Sequence, residues 1–219
     1  KYCPRAWLIN FSNPSGLLAE AILNYTDVKM IGLCNMPINM KKLAMKLVPE
    51  KCGEPEVDYV GLNHLSWITG VYYDGKEVLQ DFTRQGTDSS GRVKAEDLGW
   101  DAGLLKIVRA LPSDYLNYYY YRESKLEQLI KEEKSRGEVC KDIEKELLTL
   151  YKDPDLREKP AALDKRGGAL YSEAALSLIS AIYNDKDEIH VVNTRNNGAL
   201  DFMGYFLRPH LERSCFGSA

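Results

Sequence analysis

The chain has 219 residues, 44% of them hydrophobic and 28% charged, a composition that suits one large globular domain or two small ones. A net charge of −3 leaves no basic footprint for nucleic acid, and no apolar run approaches the roughly 20 residues that a membrane span needs. The five cysteines (Cys3, Cys34, Cys52, Cys140 and Cys215) are odd in number and form no CxxC pair, which favours a reducing cytoplasm over a disulfide framework.

The first third of the chain alternates. RAWLINF (5–11) reads as a strand, NPSG (13–16) as a turn with Ser15 as N-cap, and GLLAEAILNY (16–25) as a helix. VKMIGLC (28–34) is a buried-type strand, INMKKLAMKLV (38–48) an amphipathic helix and VDYVGLN (57–63) a third strand. This order predicts βαβ units and a sheet with parallel strands. In WITGVYYDGKEVL (67–79) the Asp74-Gly75 pair signals a hairpin. Residues 80–97 are polar and predict a loop, and 98–111 return to helical spacing. The charged tract 118–153 predicts two helices meeting near Gly137. SEAALSLISAIYND (172–185) predicts a helix capped by Ser172, and EIHVVNT (188–194) a strand. The closing RPHLERSCFGSA carries no helix or strand pattern, and Lys1-Tyr2-Cys3-Pro4 has neither a starter Met nor a signal-peptide core. Both ends read as those of an internal piece of a longer protein.

Candidate site residues fall at the ends of the first three strands: NFSNP, CNMP and the pair Asn63-His64. Ligands of open α/β sheets bind beyond the carboxyl ends of strands, so Asn10, Asn13, Cys34, Asn35, Asn63 and His64 are candidates to converge. A thiolate with an imidazole favours a transition metal over Mg²⁺ or Ca²⁺; the alternative is a buried free cysteine and a turn histidine. PSDYLNYYYY (112–121) holds five tyrosines, either an aromatic patch between helices or the source of a tyrosinate base, which would need a nearby metal or Arg. RGGALYS (166–172) and TRNNG (194–198) suit phosphate or sugar hydroxyls, or are plain helix starts and turns. No GxGxxG is present.

Taken together, NFSNPSG, GLCN, GLNHLSW, the PxxYLxYYY-type run, KRGGALYS and IHVVNTRNNG resemble, in this order, the 6-phospho-β-glucosidases of glycoside hydrolase family 4. The resemblance covers roughly residues 4–203. It implies an α/β chain in which 1–33 is the end of a Rossmann-type NAD-binding domain. Residues 34–219 would then be the α+β, lactate/malate-dehydrogenase-like C-terminal domain, incomplete at its end. It implies NAD and a divalent metal, usually Mn²⁺, as cofactors, a phosphorylated disaccharide as substrate and a homo-oligomer. The implied route oxidises the sugar at C3, removes the C2 proton, eliminates the glycosidic oxygen, adds water and reduces C3 again. NAD-dependent members of this family stand outside the two-carboxylate scheme of other glycosidases.

By the same resemblance Cys34 and His64 are the metal ligands and Tyr115 is the base, with Tyr118 as second candidate. Asn35, Arg195 and Asn196 bind substrate, Asn13 stands near substrate and nicotinamide, and Asn10 is on the cofactor side. The Gly-rich turn that holds the NAD pyrophosphate in the family is absent, and the pattern stops after about Met203; the expectation is that this chain alone is inactive. Rival readings are a 6-phospho-α-glucosidase or α-galacturonidase of the same family, where Asp is expected in place of Asn35, a 2-hydroxyacid dehydrogenase without a metal, and a non-catalytic interaction module built on the tyrosine-rich helices.

Overall fold

The computed structural model describes residues 3–49, 53–167 and 170–195, and the backbone of 208–213. Strand β1 (Trp7–Asn10), helix α1 (Ser15–Tyr25) and strand β2 (Lys29–Gly32) form a βαβ unit with parallel strands. Helix α2 (Met36–Met45) follows. The third strand, β3 (Glu56–Leu62), does not extend this sheet. It pairs antiparallel with β4 (Leu65–Tyr73) in a second sheet, completed by β5 (Lys76–Glu77) and β6 (Leu111–Pro112). The expectation of a third parallel strand is thus corrected. A two-residue connection, Asn63-His64, returns the chain at once into β4, and a two-residue hairpin cannot make a parallel neighbour. The predicted Asp74-Gly75 hairpin is present, with both residues at positive φ (48° and 71°), as the right-handed strand twist favours.

The late strands return to the first sheet. β7 (Ile189–Thr194) pairs antiparallel with β2 at Gly32 and Asn193, and β8 (Arg208–Arg213) pairs with β7, giving the order β1-β2-β7-β8. The expected patternless tail therefore contains a strand at 208–213: an exposed strand edge supplies backbone partners whatever the side-chain pattern.

In chain order, β5 and β7 are separated by α3 (Leu79–Gln85), a 3₁₀ turn (Ala95–Leu98), α4 (Ala102–Val108), then after β6 a second 3₁₀ turn (Asp114–Leu116), α5 (Asn117–Tyr120), α6 (Arg122–Lys131), α7 (Arg136–Leu150), α8 (Ala162–Arg166) and α9 (Tyr171–Tyr183). The loop expected at 80–97 begins instead as a helix, because Leu79, Phe82 and Thr83 are spaced to bury one face, and Gly86 ends it in the left-handed conformation. The long charged tract breaks at 132–135, just before Gly137 as expected. Ser135 and Glu138 form a reciprocal capping box that starts α7. Ser15 and Ser172 are not N-caps. Each lies inside its helix, and Pro14 and Leu170 hold the cap positions with no side-chain bond.

Adjacent residues of β2 face opposite sides. Met30 packs with Ala19 of α1 and with Leu62, while Ile31 packs with Leu178 of α9 and Val192. The larger core gathers α2, α3 and the second sheet around Met40, Ile68, Val71, Phe82, Trp100, Leu105 and Leu111, with Val191 of β7 packed against it. The two sheets thus share apolar contacts on both sides of the strand ends that carry Cys34 and His64. No helix of the described residues is long and apolar enough to cross a membrane.

Two positions test this arrangement. Gly61 has φ of 131°, and a Cβ there would run into the carbonyl oxygen of Leu65 and the backbone of Ser66. Gly61→Ala is expected to destabilise the chain by about 2–4 kcal/mol, read as a lower urea midpoint. In the 86–94 loop, Asp88 accepts hydrogen bonds from the backbone N–H groups of Arg92 (2.6 Å) and Val93 (3.1 Å) and from the Ser90 hydroxyl (2.7 Å). Arg92 in turn donates to the carbonyls of Lys46 and Val48. Desolvation works against the Asp88 carboxylate, but these bonds and the Arg92 charge hold its pKa below the usual 3.8. A depressed carboxyl contributes stability above its unfolded pKa and loses it as pH falls through the folded value. Asp88→Ala should therefore cost about 1 kcal/mol at neutral pH, and the gap to the parent chain should close below about pH 4 in thermal melts taken across pH.

Candidate active site

Cys34 lies two residues beyond β2, just before the first turn of α2, which Met36 starts and where Pro37 is the second residue. Its thiol is buried and accepts from the Met36 backbone N–H at 3.4 Å. Burial pushes the thiol pKa up, and hydrogen bonds from Met36, Tyr171 and Asn35 work against that rise. His64 occupies the β3–β4 turn behind Asn63, which sits at φ of 52°. Its Nε2 is 3.6 Å from the Cys34 Sγ, although the residues are 30 apart in sequence. Burial lowers the His64 pKa, which favours the neutral imidazole that ligates metals. Bonds of about 2.3 Å and 2.0–2.1 Å to one ion of zinc's size at a near-tetrahedral angle would set sulfur and nitrogen about 3.6 Å apart. The observed spacing fits a shared ion. Among the described residues no group of three or more His, Cys, Asp or Glu side chains gathers to hold a metal, so this pair would leave positions open for other oxygen ligands.

Tyr115 stacks on His64, ring centroids 4.0 Å apart and planes within 5°, and is 46% exposed. It comes from the second 3₁₀ turn, held by Ser113, whose hydroxyl donates to the His64 carbonyl at 2.6 Å. Tyr118, the second candidate, lies on α5 and is 56% exposed; the stack on the imidazole belongs to Tyr115. Asn35 directs its Oδ1 toward the Cys34 thiol at 3.8 Å.

The carboxyl end of β1 supplies the other side. Asn10 closes its own loop, donating to the Ser12 carbonyl (3.3 Å) and accepting from the Ser12 N–H (3.2 Å). Asn13, joined to Pro14 by a cis peptide bond, hydrogen-bonds Tyr171, whose hydroxyl also meets Cys34. Burial raises the Tyr171 pKa, with the Asn13 bond opposing. Arg195 follows β7 and is exposed, two residues past the buried Asn193; among the described residues no hydrogen bond ties it to Cys34 or His64. Asn196 lies outside the described residues.

Several residues that build this site went unread in the sequence. Ser15, 1% exposed, donates to the Leu33 carbonyl (3.2 Å) and receives the Asn193 amide (3.3 Å). Gly32 leaves the room for them, since a Cβ there would sit 3.0 Å from Asn193 Cβ and 3.2 Å from Ser15 Oγ. This relay fixes the peptide just before Cys34. On the His64 side, the Tyr59 hydroxyl pairs with Ser66 Oγ at 2.6 Å, and burial pushes the Tyr59 pKa up to about 12 against that bond. A serine directly after NP or P looks like a cap or turn residue, so nothing local marks Ser15 or Ser113 as buried. Tyr171 stands inside the KRGGALYS motif, where the motif alone gives it no role.

With this geometry in place, the comparisons with known proteins decide the family. Residues 59–205 match the family 4 glycosyl hydrolase C-terminal domain, and residues 1–50 match family 4 glycosyl hydrolase. The chain belongs to glycosyl hydrolase family 4. It is 42% identical over 205 residues to a probable 6-phospho-β-glucosidase of Bacillus subtilis, covering 90% of this chain and 46% of that protein. A phospho-α-glucosidase of Clostridium acetobutylicum is 26% identical over 225 residues, covering 91% and 49%. Among solved structures, the 6-phospho-β-glucosidase of Thermotoga maritima with NAD and glucose 6-phosphate superposes with a TM-score of 0.73 at 33% identity, covering 92% of this chain and 47% of that one. The same enzyme has been solved with manganese, NAD⁺ and glucose 6-phosphate. The chain thus spans about half the length of the relatives it matches. The family 4 reading of the fold holds: an N-terminal α/β part followed by the family's C-terminal domain.

The Ser15 relay predicts a stability effect. Asn193→Ala and Ser15→Ala should each cost about 1–3 kcal/mol by leaving buried polar partners unpaired. The double substitution should cost less than their sum, as a double-mutant cycle in urea unfolding would read.

Proposed function

We propose that the protein carrying this chain hydrolyses 6-phospho-β-glucosides, such as cellobiose 6-phosphate, by the oxidation, elimination, addition and reduction route of family 4. The observation that carries the reading is the juxtaposition of Cys34, His64 and Tyr115, which come from separate segments and fit one sugar-facing site. Bound NAD would supply the hydride acceptor and bound Mn²⁺ the Lewis acid that acidifies the substrate. Cys34 and His64 are the residues that would hold the metal. The neutral imidazole and the shielded sulfur suit that task, with the remaining positions left to sugar hydroxyls. Tyr115, stacked on the ligand histidine, is the base for the C2 proton. Asn35 beside Cys34 hydrogen-bonds the sugar. Asn13 lies between sugar and nicotinamide, Asn10 shapes the cofactor side, and Arg195 with Asn196 binds the substrate's polar end.

Asn35 supports the β-glucoside over the α-glucoside reading, since α-acting members are expected to carry Asp there. A homo-oligomer is supported by Leu126, Leu129 and Ile130, which leave an apolar stripe exposed on α6.

One experiment tests the assignment. Mn²⁺ titration calorimetry and cleavage assays on the full-length protein should show metal binding lost in Cys34→Ser and His64→Ala. Tyr115→Phe should retain the metal but lower kcat by about 10²–10⁴-fold. Unchanged Mn²⁺ affinity in both ligand variants, or full activity in Tyr115→Phe, would remove these roles.

A further inference from the structure

We propose that Ser113 is a positioning residue that sets the Tyr115–His64 pair. The proposal rests on the roles given to those two residues above. Ser113 is fully buried, and each of its polar groups is engaged at the junction. The hydroxyl donates to the His64 carbonyl at 2.6 Å. Its backbone N–H donates to the Ser66 carbonyl at 2.9 Å, two residues further along the same hairpin. Its own carbonyl accepts from the Leu116 N–H at 2.8 Å and so closes the turn that presents Tyr115. Immediately upstream, Pro112 and Leu111 pair with Trp67 and Ile68 of β4.

One serine therefore ties the peptide of the histidine to the start of the turn that carries the tyrosine. Both rings sit on short turns, and a turn alone leaves its side chain free to swing. Joining the two backbones at a buried hydroxyl removes that freedom and leaves the rings parallel at 4.0 Å. An offset of about 1 Å between reacting groups can cost about 10²-fold in rate, so the function of the bond is register rather than chemistry.

The molecule contains a control. Thr83 of α3 is equally buried, but its hydroxyl donates to the Gln80 carbonyl of the same helix and not to the His64 carbonyl. In the full-length protein, Ser113→Ala should lower kcat on a 6-phospho-β-glucoside by ~10- to ~100-fold with KM changed less than ~3-fold, the split expected when only the transition state loses an interaction. Thr83→Ala, at comparable thermal stability, should lose less than ~3-fold in kcat. Ser113→Cys keeps the volume with a weaker donor and should fall between parent and Ser113→Ala; it carries the comparison if the alanine variant does not fold. A second readout is independent of activity. With labelled histidine, the His64 ring signal, assigned by its loss in His64→Gln, should be displaced by the Tyr115 ring current in the parent and relax in the Ser113 variants. Equal kcat losses in the Ser113 and Thr83 variants, or an unmoved His64 signal, overturn the proposal. A parent protein that cleaves no 6-phospho-β-glucoside overturns the functional reading instead, and the ring signal then decides the role of Ser113 by itself.

Discussion

Cys34 and His64 stand at strand ends that belong to different sheets, so their 3.6 Å approach requires those sheets to keep one fixed relation. Nothing local can provide this. The first sheet places Cys34 by hydrogen-bonding the peptide before it, through Ser15 and Asn193. The second places His64 in a hairpin with no spare residue. Apolar packing then holds the two together: Leu62 of β3 lies with Met30 and Ala19, and Val191 of β7 lies against the larger core. Close-packed interiors transmit displacements rather than absorb them. A shift of either sheet would therefore appear directly as a change in the sulfur–nitrogen distance.

The site is also graded in polarity. The Cys34 sulfur and the Tyr59–Ser66 pair are buried, while Tyr115 keeps one side toward solvent. Burial disfavours charge on the thiol and on the imidazole alike. Both groups are therefore held neutral at 3.6 Å from one another, an arrangement that would suit the cation proposed above. The more open side, with Tyr115 and Asn35, is where a sugar would approach. The proposed route would use this division, with the metal on the sheltered side and the sugar on the open one.

Segments far apart in the chain meet to make this possible. β7, more than 150 residues after β2 by number, returns to pair with it, and Asn193 reaches a serine 178 residues earlier. The residues matched by the family's C-terminal domain therefore help to complete the sheet that carries Cys34. Long-range strand pairing of this kind closes a large loop, which is costly in chain entropy. The buried Asn193–Ser15 bond lies where that loop closes.

Sequence alone determined the elements with strong local signals. The first βαβ unit follows from alternating apolar runs, the Asp74-Gly75 hairpin from turn chemistry and the separate late helix from its apolar period. The motif residues Cys34, His64 and Tyr115 were legible because their neighbours fix them in a known order. What only the tertiary structure decided is which sheet each strand joins, and which polar residues support the site. A strand's pattern tells which face is buried but not which edge it pairs with, so β3 was assigned to the wrong sheet; β8 carries no strand pattern and shows only through its pairing with β7. A buried serine reads the same as a capping serine until its partner is known, so Ser15 and Ser113 stayed hidden. Their partners, Asn193 and the His64 carbonyl, are distant in sequence and become neighbours only when the sheets pack.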